Sequence, residues 1–110
     1  MEVWAMETNR VEALANVLKQ NPADTFARYA LAMEYTKASR FEDAVNEFRE
    51  IRRASPDYAA AYFHEGQTLE KLGRLDEARE AYRGGIEVTT RTGDSHTRTE
   101  MQAALDILGG

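Results

Sequence analysis

Apolar residues recur along most of the chain every three or four positions, which is the spacing of one face of an α-helix. Between residues 9 and 20, for example, Val11, Leu14, Val17 and Leu18 fall on one stripe. Sustained alternation of apolar and polar residues, which would indicate strands, is absent, and β-branched residues are few. The pattern therefore predicts an all-α protein of about six helices.

Proline, glycine and capping residues divide this pattern into helices joined by short loops. The predicted helices cover residues 9–20, 25–38, 41–54, 59–72, 75–92 and 96–108. Asp24 is expected to cap the second helix, Gly73 is expected to close the fourth in the left-handed conformation, and Gly93 is expected to end the fifth. Ser39 and Glu42 have the spacing of a capping box, which predicts that Ser39 caps the third helix.

The same arrangement of residues returns after 34 positions. Residues 40–44 (RFEDA) correspond to residues 74–78 (RLDEA), and the loop dipeptides Asn21-Pro22 and Ser55-Pro56 keep this offset. Four further pairs also keep it: Tyr29 with Phe63, Tyr35 with Leu69, Phe48 with Tyr82, and Ala32 with Gly66. One offset that persists from loop to loop indicates a tandem repeat of a two-helix unit, whose apolar faces are buried by stacking.

These units resemble the tetratricopeptide repeat, whose 34-residue signature reads W-x2-L-G-x2-Y, then A-x3-F, then P. The matching motifs are Leu31-Ala32-x2-Tyr35, Ala44-x3-Phe48 and Pro56 in the first unit, and Tyr62-x2-Glu65-Gly66-x2-Leu69 and Ala78-x3-Tyr82 in the second. Departures from the signature include Arg28 at the tryptophan position, Glu65 at the leucine position and Thr90 at the closing proline. The resemblance is specific for the fold and says little about the process served.

The resemblance implies an α-α superhelix, which is a right-handed solenoid of antiparallel helix pairs, in a single domain over residues 9–108. Its parts would be an N-terminal helix at 9–20, a first repeat at 25–58, a second repeat at 59–92 and a C-terminal capping helix at 96–108. Residues 1–8 fit no helix and are expected to be disordered, with Met6 as a second candidate start. Gly84 and Gly85 predict a close approach of the last helix, which would pack as a lid, and a hinge for that lid is the alternative.

The family layout also implies a concave groove, lined by the first helix of each pair, that holds a peptide or helix of a partner. Carried over residue by residue, it gives as partner-binding residues Phe26, Tyr29, Met33, Lys37, Phe63, His64, Gln67 and Lys71. The sequence adds its own support, because the second predicted helix has an apolar stripe beyond the one needed for its hairpin. That extra stripe must meet a partner protein, the rest of the chain or a second copy of it.

The positions at which relatives clamp an acidic C-terminal tail hold Tyr29, Met33 and His64 here, with Thr99 and Ala103 on the lid. An aromatic ring and a thioether replace cationic contacts, so an apolar or amphipathic segment is the expected partner rather than an acidic tail. We therefore expect a protein–protein interaction or scaffold module. The alternative is a self-associating structural subunit or a fragment of a longer solenoid.

Composition narrows the choice of function further. The chain has 14 Lys and Arg against 19 Asp and Glu, a net charge of -5, which argues against a general nucleic-acid binder. It has no cysteine and only two histidines, His64 and His96, so a zinc site or a thiolate nucleophile is not expected. His64 and Glu65 are neighbours on a predicted helix and point about 100° apart, which disfavours a catalytic dyad. We expect no enzyme activity, no cofactor, no membrane segment and a cytoplasmic location.

Overall fold

The protein is described here by a computed structural model, which covers the backbone of residues 3–110 and the side chains of residues 9–110. That part of the chain forms six helices and no strand: α1 Val3–Gln20, α2 Thr25–Lys37, α3 Phe41–Ala54, α4 Ala59–Lys71, α5 Leu75–Thr92 and α6 Ser95–Ile107. The predicted all-α architecture is confirmed. Helix α1 begins at Val3 rather than at residue 9. The expected disorder of residues 1–8 concerns a segment outside the described side chains, and it stays a prediction.

Each helix packs against its neighbours along the chain. Contacts between every second helix show that the helices form two layers. Helices α2 and α4 meet in one layer, where the ring centroids of Tyr29 and His64 are 5.7 Å apart. Helices α3 and α5 meet in the other layer, where the Arg49 guanidinium donates to the Glu77 carboxylate at 2.9 Å. The hairpins α2–α3 and α4–α5 therefore stack side by side in the same orientation, which is the arrangement of a solenoid.

The helix ends follow local capping chemistry. Asp24 precedes α2, and its carboxylate accepts a hydrogen bond from the backbone N–H of Ala27 at 2.9 Å, so the predicted cap is confirmed. Gly73 and Gly93 follow α4 and α5 with φ angles of +74° and +81°, as expected for left-handed residues that close a helix.

The predicted capping box of Ser39 and Glu42 is wrong. Ser39 itself has a φ of 60°, and the N–H of Arg40 donates to the carbonyl of Tyr35 at 2.8 Å, which is the bonding pattern that ends a helix. The residue before α3 is Arg40, and its side chain makes no capping hydrogen bond. Ser39 lies 34 positions before Gly73, so the repeat uses this position to close the first helix of each pair rather than to start the second.

The core is a row of three clusters along the array of helices. One surrounds Leu31 between α1 and α2, one surrounds Phe48 where α2, α3 and α4 meet, and the third surrounds Tyr82 where α4, α5 and α6 meet. Helix α6 contributes the buried Met101 and Leu105 to the third cluster and covers that end of the array. Because α5 has 18 residues where α3 has 14, α6 is displaced from the 34-residue register.

Candidate partner-binding groove

The second apolar stripe of α2 is divided between the core and the surface. Tyr29 and Met33 are half-buried and pack against the cluster around Phe48. Phe26 lies one turn earlier on the same stripe and is 77% exposed. Lys37 ends the stripe, and its ammonium is 3.7 Å from the carboxylate of Glu34. The stripe therefore has an apolar floor with one aromatic side chain left in solvent.

His64 joins the stripe of α4 to that of α2 through aromatic contacts. Its ring is stacked on Phe48, with centroids 5.9 Å apart and an interplanar angle of 21°. Tyr29 and Phe63 approach it edge-on at 5.7 and 5.6 Å. Burial lowers the pKa of His64, and the neighbouring Gln67 side chain offsets part of this effect. Three of the predicted groove residues, Tyr29, Phe63 and His64, are thus brought into one aromatic cluster.

The other end of the α4 stripe is polar. Gln67 and Lys71 are exposed, and with Glu70 they line an open cavity of ≈ 420 Å³. Glu70 also accepts a hydrogen bond from the phenol of Tyr82. Burial and this carboxylate raise the pKa of Tyr82 well above its usual range. Together the stripes of α2 and α4 form one face, here called the groove face, with aromatic side chains in the middle and lysines at the C-terminal ends of both helices.

Comparison with known proteins decides the family. The profile of the family described as Tetratricopeptide repeat matches residues 29–89, more than half of the chain. The chain belongs to the tetratricopeptide repeat family. A tetratricopeptide repeat domain protein from Salinibacter ruber, solved by NMR, is 38% identical, with 80% of this chain and 89% of that chain covered and a TM-score of 0.75.

Two more distant relatives help to define the group. The Small glutamine-rich tetratricopeptide repeat-containing protein 2 of Mycosarcoma maydis is 27% identical over 78 residues, which cover 71% of this chain. The match spans only 22% of that relative's length. The TPR2B domain of yeast Sti1, solved as a complex with pHsp70, is 15% identical to this chain, with a TM-score of 0.85. The match covers 96% of this chain and 84% of the yeast domain's chain. At that identity the likeness concerns the fold alone.

The opposite face of this tetratricopeptide repeat protein is covered by ion pairs. Glu65 stands where the repeat pattern has leucine, and it is only 2% exposed. Its carboxylate binds Arg49 at 2.9 Å and Arg52 at 2.6 Å. Arg52 also lies over the ring of Tyr62, 4.4 Å from its centroid. Glu65 therefore points to the α3 side, away from the aromatic rings that surround His64, and its role is structural.

Two residues next to the groove face, one in a loop and one in α6, escaped the sequence analysis. Tyr58 precedes α4, and its ring lies 5.6 Å from that of Tyr29, so it extends the aromatic cluster toward the loop. Ile107 is 83% exposed near the end of α6 and stands two residues before the left-handed Gly109, just as Lys71 stands two residues before Gly73. That equivalence was a usable signal. It was missed because α6 is out of register with the two repeats.

Other kinds of site find no support in the part of the chain described. No three histidine or acidic side chains there converge closely enough to hold a metal ion. No helix over the same residues combines the length and the apolar character needed to span a bilayer.

Proposed function

We propose that this protein-interaction module holds a segment of a partner protein on its groove face. The observation that carries the proposal is the position of its exposed apolar side chains. Among the described residues, the two most exposed large ones are Phe26 at 77% and Ile107 at 83%. Phe26 belongs to the α2 stripe, and Ile107 stands at the α6 position equivalent to Lys71 of α4. Burying such a side chain stabilises a complex by about 1.5–3 kcal/mol, so contact of an apolar partner surface with either residue would favour binding.

The expected partner is an amphipathic segment rather than an acidic tail. The middle of the face presents Tyr29, Met33 and Phe63, which offer rings and a thioether for apolar side chains. Its cations stand at one end, and the ammonium of Lys37 is already close to Glu34. An acidic tail would bury charge over the aromatic floor without a cation to balance it. That yeast Sti1 was solved with pHsp70 supports segment binding by this fold, while the ligand's chemistry rests on this chain's own residues.

A clean test replaces Phe26 rather than Tyr29. Tyr29→Ala would remove ring contacts with Phe48, Tyr58 and His64, so lost binding could not be separated from lost packing. Phe26 belongs to none of the three core clusters, so its removal should leave the packing of the core intact. The probe is a fluorescent peptide of about 15 residues, selected by display on the native protein. Phe26→Ala should raise its Kd roughly 5- to 30-fold, as for an aromatic anchor worth about 1–2 kcal/mol, with unchanged Tm.

The matched control is Leu75→Ala, because Leu75 is also an exposed apolar residue, at 41%, but stands at the start of α5. It should change the Kd less than twofold. A peptide whose affinity is lost in Leu75→Ala and kept in Phe26→Ala would overturn the proposal. An acidic-tail peptide that binds more tightly than the selected one would overturn the partner chemistry. A concentration-dependent dimer in light scattering, abolished by Phe26→Ala, would favour the self-associating subunit instead.

A further inference from the structure

The two repeats meet on the groove side through rings that come from different elements. Tyr29 belongs to α2, Phe48 to α3 and His64 to α4, and the centroids of the first two lie 5.7 and 5.9 Å from the imidazole. Position 30, which corresponds to His64 in the first repeat, is an alanine, so the histidine is particular to this junction. His64 is the group among these rings that can acquire a positive charge near neutral pH.

We infer that His64 is an acid-sensitive joint between the two repeats: a proton on its imidazole loosens the contact of α4 with α2 and α3 on the groove face. The geometry supports this because the imidazole is stacked on Phe48 and meets Tyr29 and Phe63 edge-on, so a charged imidazole would lose hydration there. The attraction of a cation to the face of Phe48 offsets only part of that loss.

The groups that face His64 do not compensate a positive charge. Helix α2 presents Tyr29, a phenol whose pKa is raised by burial, so it stays neutral in this range of pH. Behind it lies the ring of Tyr58, 5.6 Å from that of Tyr29. Helix α3 presents Phe48, and α4 itself presents Phe63 and the neutral amide of Gln67. Helix α5 contributes Tyr82 behind Phe63, and that phenol is bonded to Glu70.

The sign of the effect follows from linkage. A histidine whose pKa is lower in the folded than in the unfolded protein leaves the unfolded state with more bound protons, so stability rises with pH across that window. The contribution of the neutral His64 ring to stability is fully present above the pKa of the unfolded state, about 6.5. It is lost as the pH falls through the pKa of the folded state. A tenfold preference of the folded state for the neutral over the charged imidazole lowers the pKa by about one unit. Protonation of His64 would then lower Tm by about 5–10 °C in a domain of this size.

The first measurement follows the titration itself and needs no ligand. In a His96→Gln background His64 is the remaining histidine, and NMR can follow its Cε1 proton from pH 8 to pH 4.5. The pKa should lie below 6.5, and Tm should fall between pH 7.5 and pH 5.0. The fall should be smaller in a variant that also carries His64→Phe, which keeps a ring, with His64→Gln as the second choice if that variant does not fold. A pKa at or above 6.5, or equal losses of Tm with and without His64, would overturn the inference.

The second measurement tests whether the groove face opens. The sequence has no cysteine, so nitroxide labels can be placed at Lys37→Cys and Lys71→Cys, equivalent exposed positions of α2 and α4. Their distance distribution should broaden or lengthen reversibly at pH 5.0. The control pair Asn46→Cys and Glu80→Cys, also 34 positions apart on α3 and α5, should not change. If the distance between the labels at positions 37 and 71 did not change at a pH where NMR shows His64 protonated, the acid-sensitive joint would be refuted. The proposed binding function would not be affected.

Discussion

The contact between α5 and α6 depends on the missing side chain of Gly85, and a larger residue there should displace the last helix. A Cβ atom at this position would overlap the sulfur of Met101 and would lie 2.7 Å from its Cε and 2.9 Å from Cβ of Tyr62. Met101 is fully buried, so its thioether cannot swing into solvent. A side chain much larger than a methyl group should therefore push α6 outward.

The structure sets the size of the effect. Forcing extra methylenes into a packed core costs about 1–3 kcal/mol, whereas replacing a helical glycine by alanine gains about 1 kcal/mol. Gly85→Ala should therefore lower stability by about 0–2 kcal/mol. Gly85→Leu should exceed what the site can absorb and should detach α6. The loss would then approach the burial of Met101 and Leu105, about 3–6 kcal/mol.

The adjacent Gly84 provides the matched control. A Cβ there would meet the ring of Tyr62 at 3.2 Å and a guanidinium nitrogen of Arg52 at 3.5 Å, contacts that small side-chain movements can relieve. Gly84→Ala should therefore raise stability by up to about 1 kcal/mol. Urea unfolding followed by circular dichroism measures both variants, and hydrogen exchange reports on residues 95–107. If Gly85→Leu kept the unfolding free energy of the native protein and the hydrogen-exchange protection of α6, the close approach would be refuted. That result would favour the alternative, in which the two glycines form a hinge for α6.

Two further variants probe departures from the repeat pattern. Ser39→Gly should raise stability by about 1 kcal/mol in urea unfolding, because Ser39 has a φ of 60°, a left-handed conformation that favours glycine; a lower unfolding free energy would contradict this. Glu65→Leu and Glu65→Ala both leave Arg49 and Arg52 without their buried partner, but only leucine refills the buried space, as the equivalent Leu31 does. Glu65→Leu should therefore stay within about 1 kcal/mol of the native protein, and Glu65→Ala should cost about 3 kcal/mol more. Equal losses in the two Glu65 variants would contradict this account.

The order and type of the helices could be read from the sequence because they depend on local chemistry. Helical spacing of apolar residues, an Asp24 cap and glycines at Gly73 and Gly93 act within a few residues, and all three signals agree with the structure. The same local reasoning failed at Ser39, where two local roles, capping α3 and closing α2, compete for one residue. The repeat itself held the answer, since Gly73 occupies the equivalent position.

Only the tertiary structure decided which groove residues are available to a partner. The periodicity of α2 places Phe26 and Tyr29 on one stripe, yet Tyr29 packs under rings from α3 and α4 while Phe26 is left in solvent. Likewise, the sequence shows Glu65 only as a departure from leucine, and in the structure Glu65 is buried with Arg49 and Arg52 of the preceding helix as its partners. Burial and charge pairing depend on neighbours brought together from more than ten residues away, and local pattern carries no record of them.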